Sequence, residues 1–217
     1  MTTAGLIIGI DESGKGDFFG PLVVAGLACA PSEEKQLAAL GARDSKKIAD
    51  KRLLTVDKEL RAAFPHVIVV LSPEEYNVRY ESIKNLNKLL ADLHAEVIAR
   101  LATESGAVRA ISDKFGKTEL IEQALEERQC TLPLKQLVRG EAIPQVAAAS
   151  VLARAAFIRE MQALSDTVGL PLPKGAAPQV DEAGRELVRR HGVEMLRRVA
   201  KLHFKNYHRV VNPRLAI

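Results

Sequence analysis

Tryptophan is absent from this 217-residue chain, and tyrosine and phenylalanine number only three and six. Without aromatic platforms, binding of single strands by base stacking is disfavoured. Cysteine is scarce. Cys29 and Cys130 both lie in apolar sequence, which suits buried reduced thiols better than a disulfide framework or a thiolate metal site. No apolar run reaches the ~18 residues that a membrane span requires, and no secretory leader precedes the first apolar segment. Internal repeats and low-complexity stretches are also missing. A soluble, cytoplasmic monomer is the expectation, with no membrane partner.

What is present fits an ordinary globular enzyme. Hydrophobic residues make up 47% and charged residues 27% of the chain, an ordinary globular composition, and the length suits one large domain or two small ones with a sound core. The stretch around which the chain is organised runs from Gly9 to Pro21: Gly-Ile-Asp-Glu-Ser-Gly-Lys-Gly-Asp-Phe-Phe-Gly-Pro. An apolar run, Leu6 to Ile10, precedes it, and a second, Leu22 to Ala30, follows. This reads as a β-hairpin with two acids, Asp11 and Glu12, at its end and a glycine turn after them. On a regular strand these neighbours point to opposite faces, so they cannot both face inward. A dinucleotide fingerprint does not fit: the glycine spacing is too long, acids stand where a pyrophosphate would lie, and a Val-rich run replaces the required helix. A Walker loop fails as well, since no Gly-Lys-Ser/Thr follows these glycines. An acidic pair beside a backbone-exposing glycine turn suits a metal ion next to a phosphate.

Farther along, Ser32-Glu33-Glu34 starts a short helix ending near Gly41. Asp44 or Ser45 then caps a helix running to about Ala63. His66 to Leu71 is β-branched and reads as a third strand. Ser72-Pro73-Glu74-Glu75 opens another helix. From Asn85 to Thr103, Leu86, Leu89, Leu90, Leu93, Val97, Ile98 and Leu101 recur at helical spacing. Ala107 to Ile111 is a fourth strand ending in Ser112-Asp113, Thr118 to Arg128 a helix, and Thr131 to Val138 a fifth strand followed by Gly140-Glu141. A well-packed helix spans Pro144 to Leu164, Pro171 to Gly175 breaks the chain, and basic helices cover Asp181 to His191 and Val193 to about Leu202. The pattern implies an α/β fold with a mixed sheet. Residues 1–168 form the expected core and 169–217 a small helical C-terminal subdomain.

Two constellations carry chemistry. The first is the set of acids at strand ends: Asp11 and Glu12, then Asp113, then Glu141. Strand ends of α/β sheets converge on ligand crevices, and four carboxylates can hold two divalent cations for phosphodiester hydrolysis. Oxygen-only ligands favour Mg²⁺ or Mn²⁺ over zinc. Singly, each acid also reads as a cap or a solvated turn residue. The second is a basic run, Arg185, Arg189, Arg190, Arg197, Arg198, Lys201, Lys205 and Arg209, opposed only by Glu186 and Glu194. It is either a solvated helix face or a footprint for a phosphate backbone.

The Gly9–Pro21 stretch resembles the opening motif of the type 2 ribonucleases H, more closely in the ribonuclease HIII branch than in ribonuclease HII. The resemblance runs in order through Asp44-Ser45-Lys46-Lys47, Asn85 to Leu90, Asp113-Lys114-Phe115, Ala147 to Arg154, Leu172 to Ala176 and Lys201 to Asn206. It implies an RNase H-like fold with a five-stranded mixed sheet flanked by helices. The implied activity is endonucleolytic hydrolysis of RNA in RNA–DNA hybrids, with Mg²⁺ or Mn²⁺ as cofactor and 5′-phosphate and 3′-hydroxyl products. Carried over by position, Asp11, Glu12, Asp113 and Glu141 are the catalytic, metal-holding acids. Gly14, Lys15 and Gly16 sit where the family reads 2′-hydroxyls through its backbone. Ser45 and Lys46 lie in the family's Asp-Ser-Lys turn, and Lys15 and Lys46 are candidate phosphate contacts. Arg189, Arg190, Arg197 and Arg198 are candidate backbone contacts that read no sequence.

Two departures shape the expectation. The N-terminal domain resembling the TATA-box binding protein, usual in that branch, has no counterpart before the first strand, which leaves hybrid affinity to the basic helices. Around Lys174-Gly175-Ala176 no tyrosine matches the one that ribonuclease HII stacks below a junction sugar, so cleavage at single embedded ribonucleotides is expected to be weak. Competing readings are a ribonuclease HII-like activity at such ribonucleotides, another RNase H-like nuclease such as a junction resolvase, and a non-catalytic nucleic-acid binding module.

Overall fold

The computed structural model describes residues 5–42 and 48–212. Its elements are β1 (Ile7–Ser13), β2 (Leu22–Cys29), α1 (Glu34–Leu40), α2 (Asp50–Ala63), β3 (His66–Leu71), α3 (Pro73–Ile83), α4 (Leu86–Ser105), β4 (Arg109–Asp113), α5 (Thr118–Glu127), β5 (Leu134–Leu137), α6 (Pro144–Val168), α7 (Pro178–His191), α8 (Met195–Val199) and α9 (Lys205–Val211). The strands form one sheet in the order β3-β2-β1-β4-β5. β1 pairs antiparallel with β2 and parallel with β4, and β4 pairs parallel with β5. This is the expected mixed five-stranded sheet. Contacts divide the chain into two compact units: Met1–Ser13, Val23–Val69 and Asn85–Ala156 in one, Gly14–Leu22, Val70–Lys84 and Phe157–Ile217 in the other. The boundary expected at residue 168 falls inside the second unit.

In the first unit the sheet is apolar on both faces because helices cover both. β2 is buried along its whole length, and β1 is buried from Ile7 to Ile10. Two glycines permit this packing. A Cβ on Gly9 would lie 2.0 Å from the Gln145 carbonyl carbon at the start of α6, and a Cβ on Gly26 would lie 2.8 Å from Val97 of α4. Gly26 pairs with Ile10, so α4 lies over the Ile8 and Ile10 face of β1 and α6 over the Gly9 and Asp11 face. Helix α4 starts at Asn85, whose side chain accepts from the Asn87 and Lys88 amides at 3.0 and 3.2 Å. It buries Leu89, Leu90, Leu93, Val97, Ile98 and Leu101, the face its leucine spacing anticipates.

In the second unit, the segment after β1 is held by the C-terminal chain. Gly20 N donates to Val199 O (2.8 Å), Lys201 N to Phe18 O (2.8 Å) and Phe18 N to Gly175 O (2.9 Å). Asn77 of α3 donates to Arg197 O and Ala200 O and accepts from Leu202 N, at 3.1, 2.9 and 2.9 Å. Lys201 is wholly buried. Its Nζ donates to Asp17 O (2.9 Å) and Gly20 O (2.7 Å), and burial pushes its ammonium down to about 7. Asp181, also buried, accepts from Asn206 and Arg209, each at 2.6 Å. Two of the basic residues in the C-terminal run, Lys201 and Arg209, thus have internal partners and serve the fold.

Several sequence expectations are corrected. β1 and β2 do pair as a hairpin, but their connection is longer than the glycine turn: register brings Ser13 opposite Val23 and β2 begins at Leu22, so Gly14 to Pro21 form an excursion. Helix α2 begins at Asp50 with Ala49 as its cap; the expected caps, Asp44 and Ser45, lie outside the described residues. β4 starts at Arg109 and β5 is confined to Leu134–Leu137, because Thr131 to Pro133 precede the ladder with β4. The alanine-rich helix continues to Val168, since no breaker comes before Gly169. The last basic helix is short, Met195–Val199, and an unforeseen α9 follows. Ser72 does cap α3, in a reciprocal box with Glu75. Cys29 is buried, whereas Cys130 is only half-buried, and both thiols are free. No helix among the described residues is long and apolar enough to cross a membrane.

The Gly9 contact gives a direct test. Gly9→Ala should destabilise the protein by at least about 3 kcal/mol, since a backbone clash cannot relax like a flexible side chain. Gly16→Ala, whose Cβ meets nothing within 4 Å, should change stability little. Urea denaturation of both variants checks this, and equal stability of the two would contradict the packing described.

Candidate active site

Three parallel strands, β1, β4 and β5, bring their C-terminal ends together, and each end or the turn after it carries an acid. The last β1–β4 pair is Ile10 with Ser112. Asp11 and Asp113 lie one step beyond it and share the face covered by α6. The Gly140 amide, just past β5, donates to Asp113 Oδ1 at 2.8 Å, and Glu141 sits in the 3₁₀ turn Gly140–Ala142 that begins there. Gly140 approaches so closely that a Cβ would lie 3.0 Å from the Asp113 Cα. That approach sets where Glu141 leaves the sheet.

The strand's alternation divides the adjacent pair. Asp11 meets Ser150 of α6, whose hydroxyl hydrogen-bonds to it. Glu12 points to the α4 side, where Oε2 lies 3.2 Å from His94 Nε2. Burial, followed by the Glu12 charge, pushes the Asp11 carboxyl up to about 6. A carboxylate desolvated beside another carboxylate is relieved by a cation. The donor set is carboxylate oxygen, which suits a hard divalent ion. Glu141 is exposed, and among the described residues no three His, Cys, Asp or Glu side chains close on one point as a ready ligand shell. The four acids therefore share one end of the sheet without yet converging.

The remaining described candidates belong to the second unit. Gly14 directly follows β1 in sequence and has a left-handed φ of 88°. A Cβ there would meet Pro21 O at 2.2 Å and the Phe157 ring at 2.9 Å, so only glycine fits. Lys15 is half-buried and Gly16 exposed, with open space where a side chain would stand. Arg197 and Arg198 are exposed. Arg189 and Arg190 are exposed as well but share Glu186, with shortest contacts of 2.6 and 2.5 Å. Such surface pairs are worth little and open readily. Ser45 and Lys46 lie outside the described residues. Sequence reasoning missed His94, which is fully buried. Its signal was present: a polar residue four after Leu90 and three before Val97, on the apolar face of α4.

Asp11 implies a pH dependence. Its carboxyl ionises near 3.8 when unfolded and near 6 when folded, so the native state holds its proton longer. In metal-free protein the cost is absent below the lower value, grows as pH rises, and is complete above about 6. Asp11→Asn in EDTA should therefore melt higher than the parent at pH 7.5, by of order 2 kcal/mol in stability, with the gain shrinking toward zero at pH 4. Thermal melts at both pH values measure it; a gain that is the same at both would contradict the assignment.

Comparison with known proteins agrees with this arrangement. Residues 8–207 match the family described as Ribonuclease HII. The chain is 42% identical over 198 residues to ribonuclease HIII of Protochlamydia amoebophila, covering 91% of this chain and 66% of that protein. It is 42% identical over 206 residues to ribonuclease HIII of Chlamydia abortus, covering 94% and 69%. The chain thus spans about two thirds of the length of these relatives. In structure it is similar to Bst-RNase HIII in complex with Mn²⁺, with a TM-score of 0.90 at 34% identity over 97% of this chain and 70% of that one. Aquifex aeolicus RNase H3 gives 0.77 at 28% over 92% and 72%. Ribonuclease H2 from Pyrococcus horikoshii, at 17% identity, covers 98% of this chain and all of its own with a TM-score of 0.81, a likeness of fold. With the acids at their strand ends and the family match spanning nearly the whole chain, this protein belongs to the ribonuclease HII family, and its likeness runs to the ribonuclease HIII members.

Proposed function

We propose that this chain, as a ribonuclease H, hydrolyses the RNA strand of RNA–DNA hybrids, leaving 5′-phosphate and 3′-hydroxyl ends, and works as a cytoplasmic monomer. The observation that carries this is the gathering of Asp11, Glu12, Asp113 and Glu141 at the C-terminal ends of β1, β4 and β5, with Asp11 held at a raised carboxyl pKa of about 6 by burial and by Glu12. These acids would hold Mg²⁺ or Mn²⁺. Such ions, when bound, activate a water and stabilise the leaving oxygen of a phosphodiester.

The chain's own residues do the rest. Asp11 supplies the central carboxylate, kept in place by Ser150 on α6. Asp113 is oriented by the Gly140 amide, and Glu141 would add its carboxylate from the exposed turn Gly140–Ala142. Gly14, Lys15 and Gly16 present backbone to the 2′-hydroxyls, which distinguish RNA from DNA. Gly14 enforces the turn's left-handed conformation and Gly16 leaves room for close approach. Arg197 and Arg198, and Arg189 and Arg190 once released from Glu186, neutralise phosphates without reading sequence.

Three labelled duplexes test the reading: a full hybrid, DNA with four embedded ribonucleotides, and DNA with one, each incubated with Mg²⁺ and then Mn²⁺. Cleavage of the first two and not the third is expected. Efficient cutting at the lone ribonucleotide would move the activity to the ribonuclease HII type, and no cutting of any would sink the enzymatic reading. Asp11→Asn should lower kcat by at least ~10²–10³-fold. For binding, Arg197→Ala combined with Arg198→Ala should reduce the slope of log K against log salt by about two, in proportion to the phosphates no longer neutralised; an unchanged slope would remove these arginines from the interface.

A further inference from the structure

His94 is wholly buried and lies on the apolar face of α4, where Leu, Val or Phe would pack at lower cost. A buried imidazole must recover its desolvation through hydrogen bonds. Here it recovers only part. Nε2 lies 3.2 Å from Glu12 Oε2, while Nδ1 is buried with no hydrogen-bond partner among the described residues. With an acceptor facing Nε2, the ring's hydrogen belongs on Nε2, which donates to the carboxylate. A neighbouring ring, tilted against it, braces it as well. Phe115, two residues past Asp113, packs on it at 4.6 Å between centroids and 57° between planes. His94 therefore touches the ends of both β1 and β4 segments that carry the acids, and is held by one of them while it holds the other.

A residue kept only for packing would not carry an orphaned ring nitrogen. We infer that His94 is a positioning residue: its Nε2–H fixes the rotamer of Glu12, so that this carboxylate is already oriented for a divalent cation. The need for such a device follows from the strand's alternation. Asp11 and Asp113 share one face and are steered by α6 and by the Gly140 amide. Glu12 leaves on the opposite face, where its long side chain has several rotamers to choose among and the His94 donor favours one of them. Partners that orient metal-holding side chains commonly govern affinity as strongly as modest changes in the ligands themselves.

The inference rests on the metal-holding role proposed for Glu12, and the experiment separates the two. Mn²⁺ binding is measured by calorimetry on the full chain for wild type, Asp11→Asn, His94→Leu and His94→Gln. His94→Leu is also measured in a Glu12→Gln background, with thermal melts for all. His94→Gln carries an amide N–H at the reach of Nε2, whereas His94→Leu carries none. The expected result is a Mn²⁺ affinity about 10–100-fold weaker in His94→Leu, with a melt no lower than wild type and substantial recovery in His94→Gln. On hybrid substrate, His94→Leu should lower kcat with KM for the hybrid little changed. In the Glu12→Gln background, His94→Leu should cost no further affinity. Wild type that binds Mn²⁺ while His94→Leu binds it as tightly would overturn this inference alone. So would an equal loss with and without the Glu12 carboxylate, or a His94→Gln variant as weak as His94→Leu. Wild type that binds no Mn²⁺, or Asp11→Asn that binds as well as wild type, would overturn the metal site itself and His94's role with it.

Discussion

The backbone of β1 at Gly9 lies against the backbone of α6 at Gln145 and Val146, closer than any side chain would permit. Much else depends on that contact. It sets the distance between the sheet and α6, which brings Ser150 within reach of Asp11 two residues farther along the strand. On the other face, Gly26 lets α4 approach the same part of the sheet, which brings His94 to Glu12. Two close approaches, one per face, place a separate hydrogen-bonding partner beside each of two adjacent acids.

That arrangement carries an energetic conflict. Asp11 is desolvated by the helix that positions it and repelled by the neighbour that alternation turns away from it. His94 is buried with one nitrogen that finds no partner among the described residues. Both features work against stability, and both lie at the end of the sheet that carries the candidate acids. A site prepared for cations is expected to hold negative charge in poor solvation until they arrive. The second unit stores a related tension in Lys201, buried against the carbonyls of Asp17 and Gly20. There the buried amine fixes the excursion that begins at Gly14, the segment proposed to meet the substrate.

Much of this was legible in the chain. The apolar run before Asp11, the leucine spacing of α4, the Ser72 capping box and the strand at His66–Leu71 are local patterns, and local patterns survive folding. The acids themselves could be named because each follows a recognisable strand. Boundaries were less legible. α2 begins at Asp50 although good capping residues lie earlier, and α9 carried no apolar periodicity distinct from its basic neighbours. The C-terminal basic run mixed two kinds of residue that composition cannot separate. Lys201 and Arg209 turn inward to carbonyls and to Asp181, while Arg197 and Arg198 remain exposed.

By itself the sequence determined most of the elements in their order, the mixed sheet, and the candidate set of four acids next to strand ends. Those properties follow from residue type, periodicity and position next to a strand end. Tertiary structure alone decided which face each acid takes, that Asp11 is desolvated by α6, that Glu12 is gripped by a histidine 82 positions away in sequence, and that Glu141 stays exposed. These depend on the parallel register of β1 with β4 and on how closely two helices approach the sheet. Interactions between residues far apart in the chain leave no local pattern from which they could have been read.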